Sequence, residues 1–361
     1  MLIDLTSSAR RLALVGLAKN TGKTETLATL LRELQAAGRT VGVTSVGRDG
    51  EERDVIDARI AKPRVSLVAG SLVASTDELL RASGVPHELL EQTDVRTPLG
   101  RVLVARLRGP GTIEVAGPSA ASQVRAVSET MLGHGAEQVL IDGAIDRRAA
   151  SSPEVSDGLV MATGAVLSED ISELVWRTRD AVELARLPAL EIDTPAARGA
   201  LALARAHGEQ RGAALIGEDG EALELAPRFV LSADAAEIAH ALDAHPRAQL
   251  LLIDGALPER FMQELLTLLR RLRRPLTVVV GDATRVFLSA HGISWYAGQG
   301  LELRALRPTS LLALTVNPLA PQSHRFDSAE LRALLEDAIE GVAILDVCSA
   351  DYREAQRALS S

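Results

Sequence analysis

Cysteine and aromatic residues are scarce in this chain, and each scarcity excludes a class of protein. The 361 residues include one cysteine, Cys348, which excludes an intramolecular disulfide and a cysteine-rich metal site. Phe, Trp and Tyr together make up 2% of the sequence, which leaves few rings for stacking single-stranded bases. Aliphatic side chains must therefore build the core, and with 47% hydrophobic residues the chain has enough of them.

Long apolar runs and large basic blocks are also missing. No stretch reaches the about 18 consecutive apolar residues that a membrane-spanning helix needs. The net charge is −9, and the densest basic cluster, residues 270–274, ends an apolar helical pattern, where cations favour the helix dipole. These features predict a soluble, cytoplasmic protein that binds neither nucleic acid nor a membrane.

One short segment carries most of the functional information. Residues 16–24 read Gly-Leu-Ala-Lys-Asn-Thr-Gly-Lys-Thr, after an apolar strand-like run at 12–15 and before an amphipathic helical pattern at 25–37. A strand, a glycine-bounded loop ending in Gly-Lys-Thr and a helix are typical of a phosphate-binding P-loop. Backbone N–H groups and the helix N-terminus surround a triphosphate in such a loop. No Asn-Lys-x-Asp run for guanine is present, so the segment predicts ATP with Mg²⁺.

The residues of this loop have separate expected roles. Gly22 lets the backbone approach the phosphates, because it has no Cβ. Lys23 is expected to bridge the β and γ phosphates, and the Thr24 hydroxyl to bind Mg²⁺. The remaining residues expected to contact the nucleotide are Gly16, Lys19, Asn20 and Thr21.

Two acidic residues are predicted to complete the site. Asp142 follows a strand-like run at 138–141, and a carboxylate at the end of a buried strand faces the crevice where open α/β sheets bind ligands. Asp49 lies in the segment after the second predicted strand. Both are expected to act with Lys23 in catalysis and with Thr24 as Mg²⁺ ligands, and Gly143 is expected to bring its N–H to the γ-phosphate. Asp54 and Asp57 remain alternatives to Asp49, as does a merely solvated loop.

Strand-like and helical runs alternate along the chain, which predicts an α/β fold with a mainly parallel sheet. Residues 1–190 are predicted to form the P-loop nucleotide-binding domain. Residues 191–361 are predicted to form a second α/β domain, which binds a partner or is a degenerate repeat, because Leu-Ile-Asp-Gly-Ala occurs at both 140–144 and 252–256. The runs at 101–107 and 112–115 are predicted to pair as a hairpin.

Three polar residues follow predicted strands of the second half. They are Asp254, Asp282 and Asn317. Since the ends of parallel strands meet at one edge of a sheet, these residues are candidates for a second crevice. Turn formation after a strand is the alternative interpretation.

The five-residue spacing between Gly16 and Gly22 resembles that of dethiobiotin synthetase and the cobyrinate amide synthetases. Their P-loop class includes the MinD-type ATPases, in which an extra loop lysine reaches the nucleotide of a partner subunit. Lys19 lies four residues before Lys23, whereas the extra lysine of those ATPases lies five residues before the main one. The likeness implies a homodimer in which Lys19 reaches the nucleotide of the partner subunit.

Over most of its length the chain resembles the reactivase subunits of lysine 5,6-aminomutase. The segments that carry this resemblance are 15–24, 44–51, 142–144, 315–318 and 326–327. The resemblance implies an ATPase that releases damaged cobalamin from an adenosylcobalamin-dependent mutase, which would be its protein partner. Two other functions stay open: an ATP-dependent ligase that phosphorylates a carboxylate, and a regulatory module that holds a nucleotide without cleaving it.

Overall fold

The computed structural model describes residues 1–47, 64–144, 148–207, 212–226, 229–232, 234–321 and 324–359. Its strands, in chain order, are β1 (Arg11–Gly16), β2 (Val41–Ser45), β3 (Arg64–Leu67), β4 (Leu72–Thr76), β5 (His87–Thr97), β6 (Gly100–Leu107), β7 (Gly111–Glu114), β8 (Gln138–Ala144), β9 (Gly158–Gly164), β10 (Gly212–Gly217), β11 (Ala222–Leu225), β12 (Ala248–Asp254), β13 (Leu257–Pro258), β14 (Thr277–Val280), β15 (Val286–Phe287), β16 (Glu302–Ala305), β17 (Leu311–Asn317) and β18 (Ala343–Leu345).

The helices, also in chain order, are α1 (Leu2–Thr6), α2 (Lys23–Ala36), α3 (Asp77–Ser83), α4 (Ala121–Gly133), α5 (Ile171–Ala185), α6 (Pro195–His207), α7 (Phe229–Ser232), α8 (Ala235–Ala244), α9 (Glu259–Leu272), α10 (Ile293–Gly298), α11 (Ser328–Ala338) and α12 (Ala350–Leu359). Among the described residues, no helix combines the length and the apolar character that crossing a membrane requires.

The chain forms two compact units, and the first is built on a nine-stranded sheet. Its strand order is β18-β17-β9-β1-β8-β2-β4-β6-β5. Every neighbouring pair is parallel except the two pairs that β6 makes. The apolar residues of β1 are fully buried, as expected for an inner strand of a parallel sheet. The predicted α/β class with a mainly parallel sheet is confirmed.

The chain divides differently from the predicted boundary near residue 190. The first unit consists of Met1–Arg179 and Ser310–Ser361, and the second of Asp180–Thr309. The chain re-enters the first unit through β17, which pairs in parallel with β9, and β18 extends the same sheet. The sequence around residue 310 gives no change of composition, so only long-range strand pairing shows that the chain leaves and re-enters one sheet.

A buried carboxylate fixes the returning C-terminal segment against α2. Glu33 accepts hydrogen bonds from Ile3 N at 2.8 Å, Tyr352 Oη at 2.7 Å and Gln356 Nε2 at 3.4 Å. A buried carboxylate is costly unless donors surround it, so these contacts join α1, α2 and α12 in one cluster. The helix that follows the glycine-rich loop is thereby held near its C-terminal end.

Two further expectations were tested by strand pairing. The predicted hairpin of 101–107 with 112–115 is wrong, because β6 pairs with β4 and β5 while β7 pairs with β3. The repeated pentapeptide contributes to β8 in one unit and to β12 in the other. β8 has parallel neighbours on both sides, whereas β12 has an antiparallel neighbour, β10. The likeness between the halves is therefore confined to one strand.

The second unit has its own sheet and its own core. The sheet has the order β11-β10-β12-β14-β16, in which β12, β14 and β16 run parallel. The largest buried side chains of its core are Phe261 and Tyr296, both fully enclosed.

Glu259, at the start of α9, organises the loop that precedes α10. Its carboxylate accepts hydrogen bonds from Ser289 N at 2.8 Å, Ser289 Oγ at 2.7 Å, Ala290 N at 2.9 Å and His291 N at 3.0 Å. Burial opposes ionisation of this group, but the hydrogen bonds from Ser289, Ala290 and His291 outweigh it and lower the pKa of Glu259. A lowered pKa means that folding favours the ionised form.

Replacing Glu259 should therefore destabilise the second unit in a pH-dependent way. Because the folded-state pKa is below the unfolded one, the contribution of Glu259 is complete above the unfolded pKa and is lost as the pH falls through the folded pKa. At pH 7, Glu259→Gln should lower the free energy of unfolding by about 1–3 kcal/mol, and the difference from the parent should shrink in acid. Urea unfolding followed by Trp295 fluorescence, in a Trp176→Phe background, measures this.

The matched control is Glu264→Gln on the same helix. Within the described residues, Glu264 has neither a hydrogen-bond nor an ion-pair partner for its carboxylate. Glu264→Gln should change the free energy of unfolding by less than about 0.5 kcal/mol. Equal losses for the two variants, or a loss at Glu259 that does not vary with pH, would contradict this account.

Candidate functional site

The loop after β1 closes on itself through two small residues. Leu17 N still donates to Ala162 O at 2.8 Å, and then the chain turns away from the sheet. Thr21 is buried, and its hydroxyl donates to Ala18 O at 3.0 Å. A Cβ on Gly16 would lie 2.6 Å from this hydroxyl, so the closed turn requires glycine there. The Thr21 side chain thus holds the loop together.

Within the described residues, the loop leaves a set of backbone donors without protein acceptors. Gly22 has a φ of 93° and forms the N-cap of α2, and no described side chain caps the helix. In the part of the chain that the structure describes, the backbone N–H groups of residues 19–25 donate to no protein acceptor. The positive end of the α2 dipole lies at the same point. Such a group of N–H donors is suited to an anion.

Two charged side chains meet beside this loop. In the register of β1 with β8, Leu14 lies opposite Asp142, and the Asp142 carboxylate forms an ion pair with Lys23 Nζ. The two side chains are 15% and 21% exposed, respectively, so the pair is largely buried but remains accessible. Thr24 and Asp142 line one cleft. The structure thus brings together Lys23, Thr24 and Asp142, which the sequence had named as partners.

The topology places this cluster where the strand order reverses. From β1 the chain passes through α2 to β2, which lies beyond β8 on one side. From β8 it reaches β9, which lies on the other side of β1. Ligands of open α/β sheets bind outside the carboxyl ends of the strands at such a switch point.

β17 supports the loop from behind. Asn317 Nδ2 donates to Asn20 O at 3.1 Å, which holds Asn20 at its positive φ of 66°. Thr26 and Thr315 share a buried hydrogen bond of 2.7 Å between their hydroxyls. A Cβ on Gly22 would lie 2.9 Å from Asn317 Cβ, so the strand and the loop are in close contact.

Asn317 therefore belongs to the first site, whereas the sequence had grouped it with Asp254 and Asp282. Asp254 ends β12 and Asp282 follows β14, both in the second unit. Sequence reasoning could not detect the contact of Asn317 with the loop, because nearly 300 residues separate them and no spacing rule connects such positions. An Asn-Pro pair after an apolar strand was the only local signal.

The other predicted residues are exposed, buried by packing, or outside the described residues. Lys19 and Asn20 are exposed, and Lys19 has no ion-pair partner among the described residues. Gly143 is buried within β8, where a Cβ would lie 2.6 Å from Ala150 Cβ, so packing already requires glycine there. Asp49, with its alternatives Asp54 and Asp57, lies outside the described residues.

The donors at this site fit Mg²⁺ bound together with a phosphate ligand. Thr24 offers a hydroxyl and Asp142 a carboxylate, both of them oxygen ligands of the kind that Mg²⁺ prefers. Over the described ranges, no group of three or more His, Cys, Asp or Glu side chains is placed to hold a metal. Mg²⁺ commonly takes one or two protein oxygens and completes its shell with phosphate and water, so no such group is needed.

Comparison of the chain with protein-family models, with curated proteins and with solved structures found no match. The features that bear on function are accordingly those of the site itself. They are a loop whose N–H groups have no acceptor within the described residues, the Lys23–Asp142 pair and the adjacent Thr24 hydroxyl.

Two glycine substitutions should separate backbone strain from steric overlap. Gly22 and Gly38, at the two ends of α2, both have positive φ, but a Cβ on Gly38 meets nothing within 4 Å. Gly38→Ala should cost about 1 kcal/mol of stability, the usual penalty for a left-handed alanine. Gly22→Ala should cost at least about 1 kcal/mol more, because its Cβ collides with Asn317. Urea unfolding gives both values.

The double variant Gly22→Ala with Asn317→Gly tests the cause of this excess. Removing the Asn317 Cβ removes the overlap but also the hydrogen bond to Asn20 O. The stability cost of the double variant should therefore be smaller than the sum of the costs of the single variants Gly22→Ala and Asn317→Gly. Equal costs at Gly22 and Gly38 would show that Asn317 does not restrict the loop.

Proposed function

We propose that this protein binds ATP with Mg²⁺ at the loop of residues 16–24 and hydrolyses it to drive a conformational cycle on a protein partner. The observation that carries the proposal is the convergence of Lys23, Thr24 and Asp142 beside a loop whose N–H groups have no acceptor within the described chain. A triphosphate supplies the missing acceptors, since its oxygens carry dense negative charge.

Lys23 has an exchangeable partner in this arrangement. Its ammonium pairs with Asp142, so neither charge is left isolated in a largely buried position. An arriving phosphate competes with Asp142 for the same ammonium. With Lys23 turned to the phosphate, the Asp142 carboxylate would be available to hold Mg²⁺.

The same donors would stabilise the reaction. As the γ-phosphoryl group leaves, negative charge grows on the bridging oxygens, and fixed N–H groups with Lys23 offset that charge without reorganising. Mg²⁺, when bound, neutralises further phosphate charge. Thr24 and Asp142 are the residues that would hold it, and Asp49 stays the predicted third residue.

Two sequence resemblances and one hydrogen bond support an ATPase that acts on a protein partner. The likeness to aminomutase reactivases favours an adenosylcobalamin-dependent mutase as partner, and the likeness to MinD-type ATPases favours a homodimer through the exposed Lys19. The hydrogen bond from Asn317 to Asn20 ties the loop to β17, the strand by which the chain returns from the second unit. A change in the conformation of the loop would thus be transmitted to β17.

A ligase that activates a carboxylic acid is the second candidate. A cleft of about 500 Å³ opens beside Thr24 and Asp142, and this volume suffices for a second small substrate. Phosphate release that requires an added acid would favour the ligase, and release from Mg-ATP alone would favour the ATPase.

Substitution of Lys23 tests the nucleotide site directly. Lys23→Met should weaken Mg-ATP binding about 100-fold and abolish phosphate release, because it removes the positive charge and leaves Asp142 unpaired. Calorimetric titration and a phosphate-release assay measure the two effects. The control is Arg81→Met, which removes a cation from an exposed ion pair with Asp77 on α3 and should leave Mg-ATP binding unchanged. The proposal fails if Lys23→Met binds Mg-ATP like the parent, or if the parent binds no nucleoside triphosphate.

The variant Asp142→Asn distinguishes Mg²⁺ binding from nucleotide binding. The amide keeps the shape of the side chain but removes its charge, so ATP binding without Mg²⁺ should persist or strengthen as Lys23 is released. The gain in affinity that Mg²⁺ gives the parent should disappear. An unchanged Mg²⁺ dependence would exclude Asp142 from the metal site.

A further inference from the structure

Three arginines at the C-terminal end of α9 form an exposed cluster of positive charge. They are Arg270, Arg271 and Arg273, and we call them the α9 arginine patch. Within the described residues, none of the three side chains has an ion-pair or hydrogen-bond partner. The net charge of the whole chain is −9, so these unpaired cations reverse the overall balance of charge at one place on the surface.

The next residue, Arg274, has a structural role that distinguishes it from the patch. Its guanidinium donates to Leu242 O at 2.7 Å and to His245 O at 2.6 Å, and thereby satisfies carbonyls at the end of α8. Asp243 lies between these two acceptors in sequence, but in the described part of the chain it forms no ion pair with the patch. The contact of α9 with α8 therefore uses one arginine of the run and leaves the other three in solvent.

The backbone of Arg273 adopts a left-handed conformation, which is unfavourable for a residue with a side chain. Its φ is 49° and its ψ is 43°, at the position that ends α9. Glycine or asparagine usually fills such a position, because a Cβ crowds the following carbonyl. Among the described residues, a positive φ at a non-glycine residue occurs at Arg273 and at Asn20 of the candidate phosphate loop. Unfavourable conformations cluster at functional sites, so an arginine at this position indicates a use for its charge.

The dipole of α9 accounts for only part of the charge in the patch. The C-terminus of a helix carries a partial charge of about −0.5, which a single cation more than balances. Three guanidiniums within about one turn of it leave a positive surface on which like charges repel one another. Carboxylates from a partner would remove this repulsion, and a guanidinium binds a carboxylate through two parallel hydrogen bonds.

The surroundings of the patch favour an acidic protein segment over a nucleic acid. Leu272, inside the patch, is 40% exposed, and an apolar side chain beside arginines is typical of contacts between proteins. Single-stranded bases bind by stacking on aromatic rings, but residues 262–286 contain no aromatic residue. One helical turn rises about 5 Å, which matches acidic residues one turn apart on a partner's helix.

We propose that the α9 arginine patch is a docking surface for an acidic segment of a partner protein. Carboxylates of that segment pair with Arg270, Arg271 and Arg273, and an apolar residue of the same segment covers Leu272. The surface lies wholly in the second unit. This inference does not require the nucleotide site of the proposed function.

A fluorescein-labelled peptide of repeated Glu-Glu-Leu-Glu is a suitable probe, titrated with the full chain at low salt and followed by fluorescence anisotropy. The triple variant Arg270→Gln, Arg271→Gln and Arg273→Gln should bind this peptide at least about tenfold more weakly than the parent, because it loses three charge-assisted contacts. A triple variant that binds the peptide like the parent would overturn the proposal.

A matched control removes the same charge from other parts of the surface. Arg96 of β5, Arg205 of α6 and Arg357 of α12 are exposed and, among the described residues, have no ion-pair partner. Their triple glutamine variant should bind the peptide within about twofold of the parent, since salt screens distant charges. Equal weakening in the two triple variants would show that the peptide responds to net charge alone, which also overturns the proposal.

The single variant Arg273→Gly separates binding from stability. Glycine adopts the left-handed conformation without a penalty, so this variant should keep or raise the urea midpoint while it binds the peptide more weakly than the parent. Trp295 fluorescence in the Trp176→Phe background measures the midpoint. A lowered midpoint would show that the fold itself needs Arg273, and unchanged peptide binding would show that the surface does not use it. Either result contradicts the proposal.

Other occupants of the patch give different results in the same assays. Tighter binding of a short oligothymidylate than of the peptide would assign the patch to a nucleic acid. Self-association of the parent that disappears in the patch triple variant, measured by sedimentation, would assign it to a second copy of the chain. Each of these results overturns the acidic partner.

Mg-ATP distinguishes this surface from the nucleotide site. Adding Mg-ATP should leave the peptide bound, and the patch triple variant should bind Mg-ATP like the parent. Displacement of the peptide by Mg-ATP would place it at the loop of residues 16–24 and overturn the docking surface. A parent that binds the peptide but no nucleotide would sink the nucleotide site alone and leave the docking surface standing.

Discussion

The ion pair between Lys23 and Asp142 is the interaction on which the candidate site depends. It joins the first residue of α2 to the neighbouring strand β8, and it places a cation and a carboxylate beside backbone N–H groups that have no acceptor in the described chain. Both charges are largely buried, so each one stabilises the other.

The rest of the first unit restricts how this site can move. Asn317 holds the positive-φ backbone of Asn20, and Glu33 fixes α2 to α12 through Tyr352 and Gln356. Both supports come from the segment that follows the second unit. The loop is therefore held by residues far away in sequence, and the strand that carries Asn317 also carries the chain back from the second unit. The loop is thus tied to the strand by which the chain re-enters the first sheet.

Local patterns were enough to predict the α/β class, the helix after the loop and the meeting of Lys23, Thr24 and Asp142. Each of these follows from periodicity, from glycine placement or from the rule that parallel strands end at one edge. The return of β17, the partners of β6 and the contact of Asn317 depend on strand pairing between distant segments, which a single sequence does not encode locally.

Amide hydrogen exchange of the loop tests the central claim most directly. If the N–H groups of residues 19–25 surround the phosphates of a nucleotide, adding Mg-ATP to the full chain should slow their exchange at least about tenfold, because bound donors must be released before they exchange. Residues of the second unit such as 263–268 serve as an internal reference. Unchanged exchange across residues 19–25 at a saturating concentration of Mg-ATP would contradict the account.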